Sequence, residues 1–328
     1  MTELSDLKKL SARVGADPLL VQAAGGNTSL KQDGVMWIKA SGTWLRDAVT
    51  RDIFVPIDRE ALLAALKKSD PACETCTGFV LSGLNTTGLR PSIETTVHAL
   101  MPQRVVLHVH CVNTIAWAVQ GDAEQKLAEK LQDFRWAFIP YAKPGLPLAG
   151  AISARLKPGI DVLILGNHGL FVAADSVAAA EALLERIVAA LTRSARSVSS
   201  PDLEALNAIS RGTAYAPAKS SETHALALDR FALASGRNAV FYPDHVVFLG
   251  VGVATEISSG AALVAIAGNG VLIRNDAKPA VEPMGRCLAD VMRRVEEDNA
   301  LIALNDQDIE SLVNWDAEKY RQSLKTDS

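Results

Sequence analysis

Arg104-Val-Val-Leu-His-Val-His-Cys111 is an apolar run that carries two histidines one residue apart. Its β-branched and aliphatic residues read as a buried strand over 104–110. Residues two apart in a strand point to the same face, about 6.5–7 Å apart along the chain. His108 and His110 therefore share a face, with Val109 on the other side. Two imidazoles so placed can converge on one cation, given a third donor from elsewhere. Leu165-Gly-Asn-His-Gly-Leu170 offers it: His168 follows a second apolar strand, in a glycine-flanked turn where backbone can approach an ion. The same pattern also suits strand histidines hydrogen-bonded in a polar pocket. Three protein ligands leave a coordination position open, whereas a structural zinc closes its shell with four. Cys73-x-x-Cys76 is a rival metal site, but it has no second pair and no histidine nearby, so it reads as two free thiols in a loop.

Outward from this segment, strand-like and helical stretches alternate. Further strands are expected at 35–39, 53–56, 136–140, 162–165 and 170–173. Helices are expected at 4–14, 59–68, 92–100, 112–119, 124–131, 148–156 and 176–196. The pattern then breaks at Ser197-Val-Ser-Ser-Pro201, and 211–221 reads as loop. A second, smaller α/β unit follows, with helices at 222–234 and 282–304 and strands at 239–241, 246–249, 263–267 and 270–274. The boundary falls near 215, giving units 1–214 and 215–328.

The chain has 328 residues, 48% hydrophobic and 21% charged, with a net charge of −4. That composition builds a globular core. It carries no basic block for nucleic acid. The start, MTELSDLKKL, reads as an amphipathic helix and lacks the apolar core of a signal peptide. The most apolar stretch, 246–273, is interrupted by Glu256, Ser258, Ser259 and glycines, so no membrane span is expected. Four cysteines are too few for a disulfide framework, and a reducing cytoplasm fits them.

Three further motifs carry polar groups. Pro91-Ser-Ile-Glu-Thr-Thr-Val-His98 reads as a helix start, with Ser92 as N-cap and Glu94 in the first turn. There Glu94 either complements the helix dipole or moves protons beside a metal. His98 lies on the same helical face, as a spare ligand or a structural residue. Ala24-Gly-Gly-Asn-Thr-Ser29 and Ala40-Ser-Gly-Thr43 are small-residue turns able to aim N–H and O–H donors at an anion, though each is also an ordinary turn. Neither matches a nucleotide-binding fingerprint.

Taken in order, Gly26-Asn27-Thr28-Ser29, Ser41-Gly42, Pro91-Ser92-Ile93-Glu94, His108-Val109-His110, Pro140-Tyr141-Ala142-Lys143-Pro144-Gly145 and Asn167-His168-Gly169 resemble the class II aldolase/adducin family over about residues 5–195. The wording around residues 91–110, with Tyr242-Pro-Asp-His245 and Trp315-Asp-Ala-Glu-Lys-Tyr-Arg321, is most similar to the aldolase portion of bifunctional rhamnulose-phosphate aldolase/alcohol dehydrogenase proteins. The resemblance implies a three-layer α/β/α fold with a mixed, largely antiparallel central sheet. It implies zinc, or Mn2+, Co2+ or Fe2+, on His108, His110 and His168, with Glu94 as acid/base. It implies that Asn27, Ser41, Gly42 and Ser92 hold a substrate phosphate. The implied reaction is aldol cleavage of a small hydroxylated ketose through an enediolate, in a dimeric or tetrameric homo-oligomer. Relatives acting as decarboxylases or epimerases, on keto acids or sugar phosphates, and the non-catalytic adducins, are the alternatives. Two departures stand out: Ile93 replaces a second serine before the glutamate, and no tyrosine lies within 121–136 to donate a proton, Tyr141 being in another motif.

Overall fold

In a computed structural model describing residues 2–323, a seven-stranded sheet carries the histidine strand at its centre. The first half of the chain runs α1 (Thr2–Ala16), β1 (Asn27–Gln32), β2 (Val35–Lys39), β3 (Phe54–Asp58), α2 (Arg59–Leu66), α3 (Thr95–Leu100), β4 (Val105–Val109), α4 (Val112–Ala118) and α5 (Ala123–Lys130). It continues with β5 (Trp136–Ile139), α6 (Leu146–Arg155), β6 (Val162–Leu165), β7 (Gly169–Ala174) and α7 (Val177–Leu191). The strand order is β3-β2-β1-β4-β7-β6-β5. Every neighbour pair is antiparallel except β5 and β6.

Alternation along β4 sorts its side chains into two layers. Val105, Leu107 and Val109 join a core with Leu7, Leu10 and Val14 of α1 and Leu184, Ile187 and Leu191 of α7. Val106 faces the other way, into a core with Val97 and Met101 beside α3, Leu148 and Ile152 of α6, and Phe171 of β7. The result is the expected α/β/α sandwich, and His108 falls on the α3/α6 face with Val106. Its cross-strand partners are Asn27 on β1 and Phe171 on β7. Phe171 stacks on the His108 ring, with centroids 4.2 Å apart and planes 16° apart. Truncating this fully buried side chain removes both core volume and the floor under the histidine. Phe171→Ala is expected to cost about 3–5 kcal/mol, read as a lower midpoint in urea unfolding.

The remaining elements are α8 (Leu203–Ser210), β8 (Tyr215–Pro217), α9 (Ser221–Leu228), α10 (Arg230–Asn238), α11 (Pro243–Leu249), β9 (Leu263–Ile266), β10 (Gly270–Arg274), α12 (Val281–Met292), α13 (Asp306–Val313) and α14 (Asp316–Ser323). β8, β10 and β9 form a small antiparallel sheet. Leu226, Val271, Leu288 and Met292 share one core with Val112 and Ile115 of α4 and with Val119 just past its end. The second half therefore packs on the helix that follows the histidine strand.

Several local expectations are corrected here. Residues 239–249 contain no strand; α11 occupies 243–249 instead, with Pro243 in its first turn. A short apolar run such as Val246-Val-Phe-Leu249 has no period that separates strand from helix. The helix expected at 222–234 is two helices, broken at Asp229, whose carboxylate caps the second by accepting from the Ala232 N–H. The one expected at 282–304 ends at Met292, and that at 176–196 ends at Leu191. Strand β8 lies inside the stretch read as loop, and β1 begins within Ala24–Ser29, read as a turn, and runs three residues past it. Ser92 is not an N-cap: α3 begins at Thr95, so Glu94 stands at the cap position rather than in the first turn. Ser92 Oγ instead accepts from the Glu94 N–H at 3.2 Å.

Candidate metal centre

One nitrogen from each of His108, His110 and His168 lies within 4.8 Å of the others, and all three rings are buried. His108 comes from β4 and His110 from the residue just beyond its end. His168 comes from the turn joining β6 to β7. In that turn Asn167 takes a left-handed conformation, φ 55°, which asparagine tolerates better than most residues. Its amide donates to the carbonyls of Phe241 and Ile302 at 2.9 and 2.7 Å, pinning the turn to the second half of the chain. Gly169 is required by proximity: a Cβ there would stand 2.6 Å from the Val109 carbonyl oxygen.

The partners of each ring set its tautomer. His108 Nδ1 donates to the Leu170 carbonyl at 3.1 Å. His110 Nδ1 lies 3.0 Å from Asp244 Oδ2. Both rings therefore turn Nε2 inward, and these two nitrogens are 3.2 Å apart. Glu94 adds two more acceptors, Oε2 at 3.3 Å from His108 Nε2 and Oε1 at 3.3 Å from His168 Nε2. Electron pairs thus converge from four side chains into one small volume. A single shared proton would join only two of them, whereas a divalent cation satisfies the set. Burial pushes the His168 imidazole down to about 3 and His108 well below its usual value, so both are neutral, as ligands must be. The donor set fits a divalent metal with room for a further ligand.

Glu94 is held by a polar chain. Asn27 Nδ2 donates to Glu94 Oε2 at 2.8 Å, Asn27 Oδ1 meets His98 Nε2 at 2.5 Å, and His98 Nδ1 meets Ser29 Oγ at 2.7 Å. Both His98 nitrogens are accordingly used in this chain, and His98 does not join the cluster of three histidines. Glu94 Oε1 has no hydrogen-bond donor.

Asn27, Ser41, Gly42, Ser92, Glu94, His110 and His168 line one recess. His108 lies beneath it. Ser41 Oγ is buried and has no hydrogen-bond partner. Ile93 presents an apolar wall to the same recess, and Tyr141 is not among the lining residues, packing instead beside Val240, Val246 and Leu312. Cys73 and Cys76 are buried free thiols in another core cluster, with Met36 and Leu62.

Four lining residues were not singled out from sequence: Lys39, Asp244, Glu318 and Arg321. Lys39 Nζ donates to the carbonyls of Ala24 and Gly26, both at 3.0 Å, and so shapes the glycine turn. Burial, aided by Arg321, lowers its ammonium to about 7. Burial alone would raise the Asp244 carboxyl, but Arg321 and His110 outweigh it and hold it well below the usual carboxylate range. A lysine closing an apolar strand was the one visible signal for Lys39. For the other three there was only the wording of residues 242–245 and 315–321.

Buried neutral histidines outside the trio His108, His110 and His168 make stability depend on pH. Burial lowers His245 to about 4 and His98 well below 6.5. In the unfolded chain both would take up a proton as pH falls through about 6.5. Their contribution is therefore complete above that value and is lost as pH falls toward about 4. The urea midpoint of the metal-free protein is expected to decline steadily from pH 7 to pH 5. A midpoint that rose or stayed level would contradict these assignments.

Known proteins resemble the first half of the chain. A Bacillus subtilis (strain 168) protein called uncharacterized oxidoreductase YuxG is 26% identical over 179 residues, covering 51% of this chain and 26% of that protein. The chain thus spans about a quarter of the length of this curated relative. The N-terminal class II aldolase domain of a conserved protein from Thermoplasma acidophilum is 28% identical, covering 57% of this chain and 90% of that one, with a TM-score of 0.50. An aldolase II superfamily protein from Pseudomonas syringae is 20% identical, covering 58% and 73%, with a TM-score of 0.44. Residues 9–193, more than half of the chain, match the family described as Class II Aldolase and Adducin N-terminal domain, and the chain belongs to that family.

Proposed function

We propose that the protein is a metal-dependent carbon–carbon lyase of the aldolase type, acting on a small hydroxylated ketose that carries a phosphate. The observation that carries this reading is the convergence of three histidine nitrogens with both oxygens of Glu94 in a recess lined by hydroxyl and amide groups. Family membership supports the lyase class. His108, His110 and His168 would hold the metal. Zinc suits three imidazoles with an open position, and Mn2+, Co2+ or Fe2+ can take the same donors. When bound, the divalent ion supplies Lewis-acid polarisation of a substrate carbonyl.

The chain's own groups do the rest. Glu94 moves the proton. The Asn27 amide fixes one of its oxygens, and the other faces the recess without a donor. Glu94 would take the proton from the hydroxyl whose carbon becomes the aldehyde; the carbon–carbon bond breaks with its electron pair left on the carbon next to the carbonyl, and Glu94 returns that proton there. Ser41 Oγ, the Gly42 backbone, Ser92 and the second amide hydrogen of Asn27 offer donors to the anionic tail. Held at both ends, the substrate keeps its reacting bond in one orientation.

The test is product analysis. Zinc-loaded protein is offered a panel of ketose 1-phosphates, β-keto acids and hydroxy acids. Chelator-sensitive release of a triose phosphate and an aldehyde is expected. Release of carbon dioxide, or an epimerised sugar with its chain intact, would overturn the lyase assignment in favour of a decarboxylase or epimerase. A protein that holds no metal and turns over nothing would favour a non-catalytic binding role.

A further inference from the structure

The three histidines and Glu94 lie inside the family-matched region, residues 9–193, but the carboxylate that grips His110 does not. Asp244 sits in the first turn of α11, is 3% exposed, and places Oδ2 3.0 Å from His110 Nδ1. Arg321 of α14 clamps it with two bonds, Nη1 to Oδ1 at 2.6 Å and Nη2 to Oδ2 at 3.0 Å. Glu318, one turn earlier on α14, accepts from the same guanidinium at 3.2 and 3.3 Å. All three charged side chains are less than a tenth exposed.

Burying three ionisable groups is a poor way to stabilise a fold, because desolvation offsets most of the attraction and an apolar cluster does as well. The geometry explains the network differently. A fork-on-fork pair fixes the carboxylate plane. The fixed carboxylate then selects the Nδ1–H form of His110 and turns its Nε2 toward His108. A carboxylate behind a ligating imidazole orients the ring and makes the inward nitrogen a stronger donor.

From this we infer that Asp244 is a positioning residue of the metal centre, that Arg321 and Glu318 hold it in place, and that the second half of the chain is therefore a working part of the site. The inference rests on the metal-binding reading above. It assigns a role to residues 244–321 that the family-matched region leaves open.

The experiment compares zinc affinity by chelator competition in the full-length wild type, Asp244→Asn and Arg321→Met, with circular dichroism as the check on folding. Asp244→Asn keeps the shape and loses the charge, and is expected to weaken zinc binding about 10–100-fold. Arg321→Met leaves the carboxylate unclamped and is expected to weaken it in the same direction. Nitrogen-15 NMR of the metal-free wild type is expected to show His110 protonated at Nδ1, a reading that needs no variant to fold. A folded Asp244→Asn protein with wild-type zinc affinity would overturn the inference, as would a His110 protonated only at Nε2. If the wild type itself bound no zinc, the metal-binding reading would fall first, so the two failures are distinguishable.

Discussion

Replacing His108 with alanine is expected to remove bound zinc and to lower turnover by about three orders of magnitude or more. The magnitude follows from what a Lewis acid contributes to charge development, several kcal/mol, at a factor of ten per 1.36 kcal/mol. His108 is the deepest of the three rings, 0% exposed, and both of its nitrogens are committed. Loss of the ring also leaves the Leu170 carbonyl without its donor, at a cost of about 1–3 kcal/mol. The variant is therefore less stable as well as inactive. His168→Ala separates the two effects: it removes a ligand whose Nδ1 has no hydrogen-bond partner, so less of the fold depends on it. Metal content by plasma emission and turnover measured on both variants check the prediction. A His108→Ala protein that kept one zinc per chain would contradict it.

Glu94→Gln is expected to retain zinc at saturating metal and to lose about 10²–10⁴ in kcat, the range for removing a positioned acid or base. Glutamine has the same shape, and its amide oxygen can still accept from Asn27 Nδ2. The group then facing His168 is an NH2, which cannot take up a proton. KM should change far less than kcat, because the donors proposed for the substrate's anionic end, Ser41, Gly42 and Ser92, are other residues of the recess. Stopped assays against zinc concentration separate occupancy from rate. A variant with unchanged kcat would remove Glu94 from the chemistry.

The part of the site that could be read from sequence is the part made by short-range periodicity. The alternation in Val105–Val109 puts His108 and His110 on one face whatever the rest of the fold does; the glycine after His168 read as a place for backbone to approach an ion, and what lies close to it is the Val109 carbonyl. The layered fold was implied by the family resemblance, and the strands agree with it, since β6 and β7 are apolar on both faces and are covered by helices. Strand β1 escaped notice because Asn27-Thr-Ser-Leu-Lys-Gln32 has a single apolar residue. Its pairing comes from neighbours on both sides, β2 and β4, and from the buried contact of Thr28 Oγ1 with Ser11 Oγ at 2.7 Å. Asp244 and Arg321 escaped because nothing local marks them. A lone carboxylate after Tyr242-Pro243 and a lone arginine in a polar helix acquire meaning only when the chain brings α11 and α14 over the histidine strand. The apolar run 246–249 was misread for the complementary reason, being too short to show a period.

X-ray absorption at the zinc edge of the reconstituted, substrate-free protein bears most directly on all of this. The account predicts one zinc per chain, scattering from three imidazoles at about 2.0–2.1 Å and no sulfur. Sulfur at about 2.3 Å, which would move the ion to Cys73 and Cys76, or fewer than three imidazoles in the shell, would contradict it.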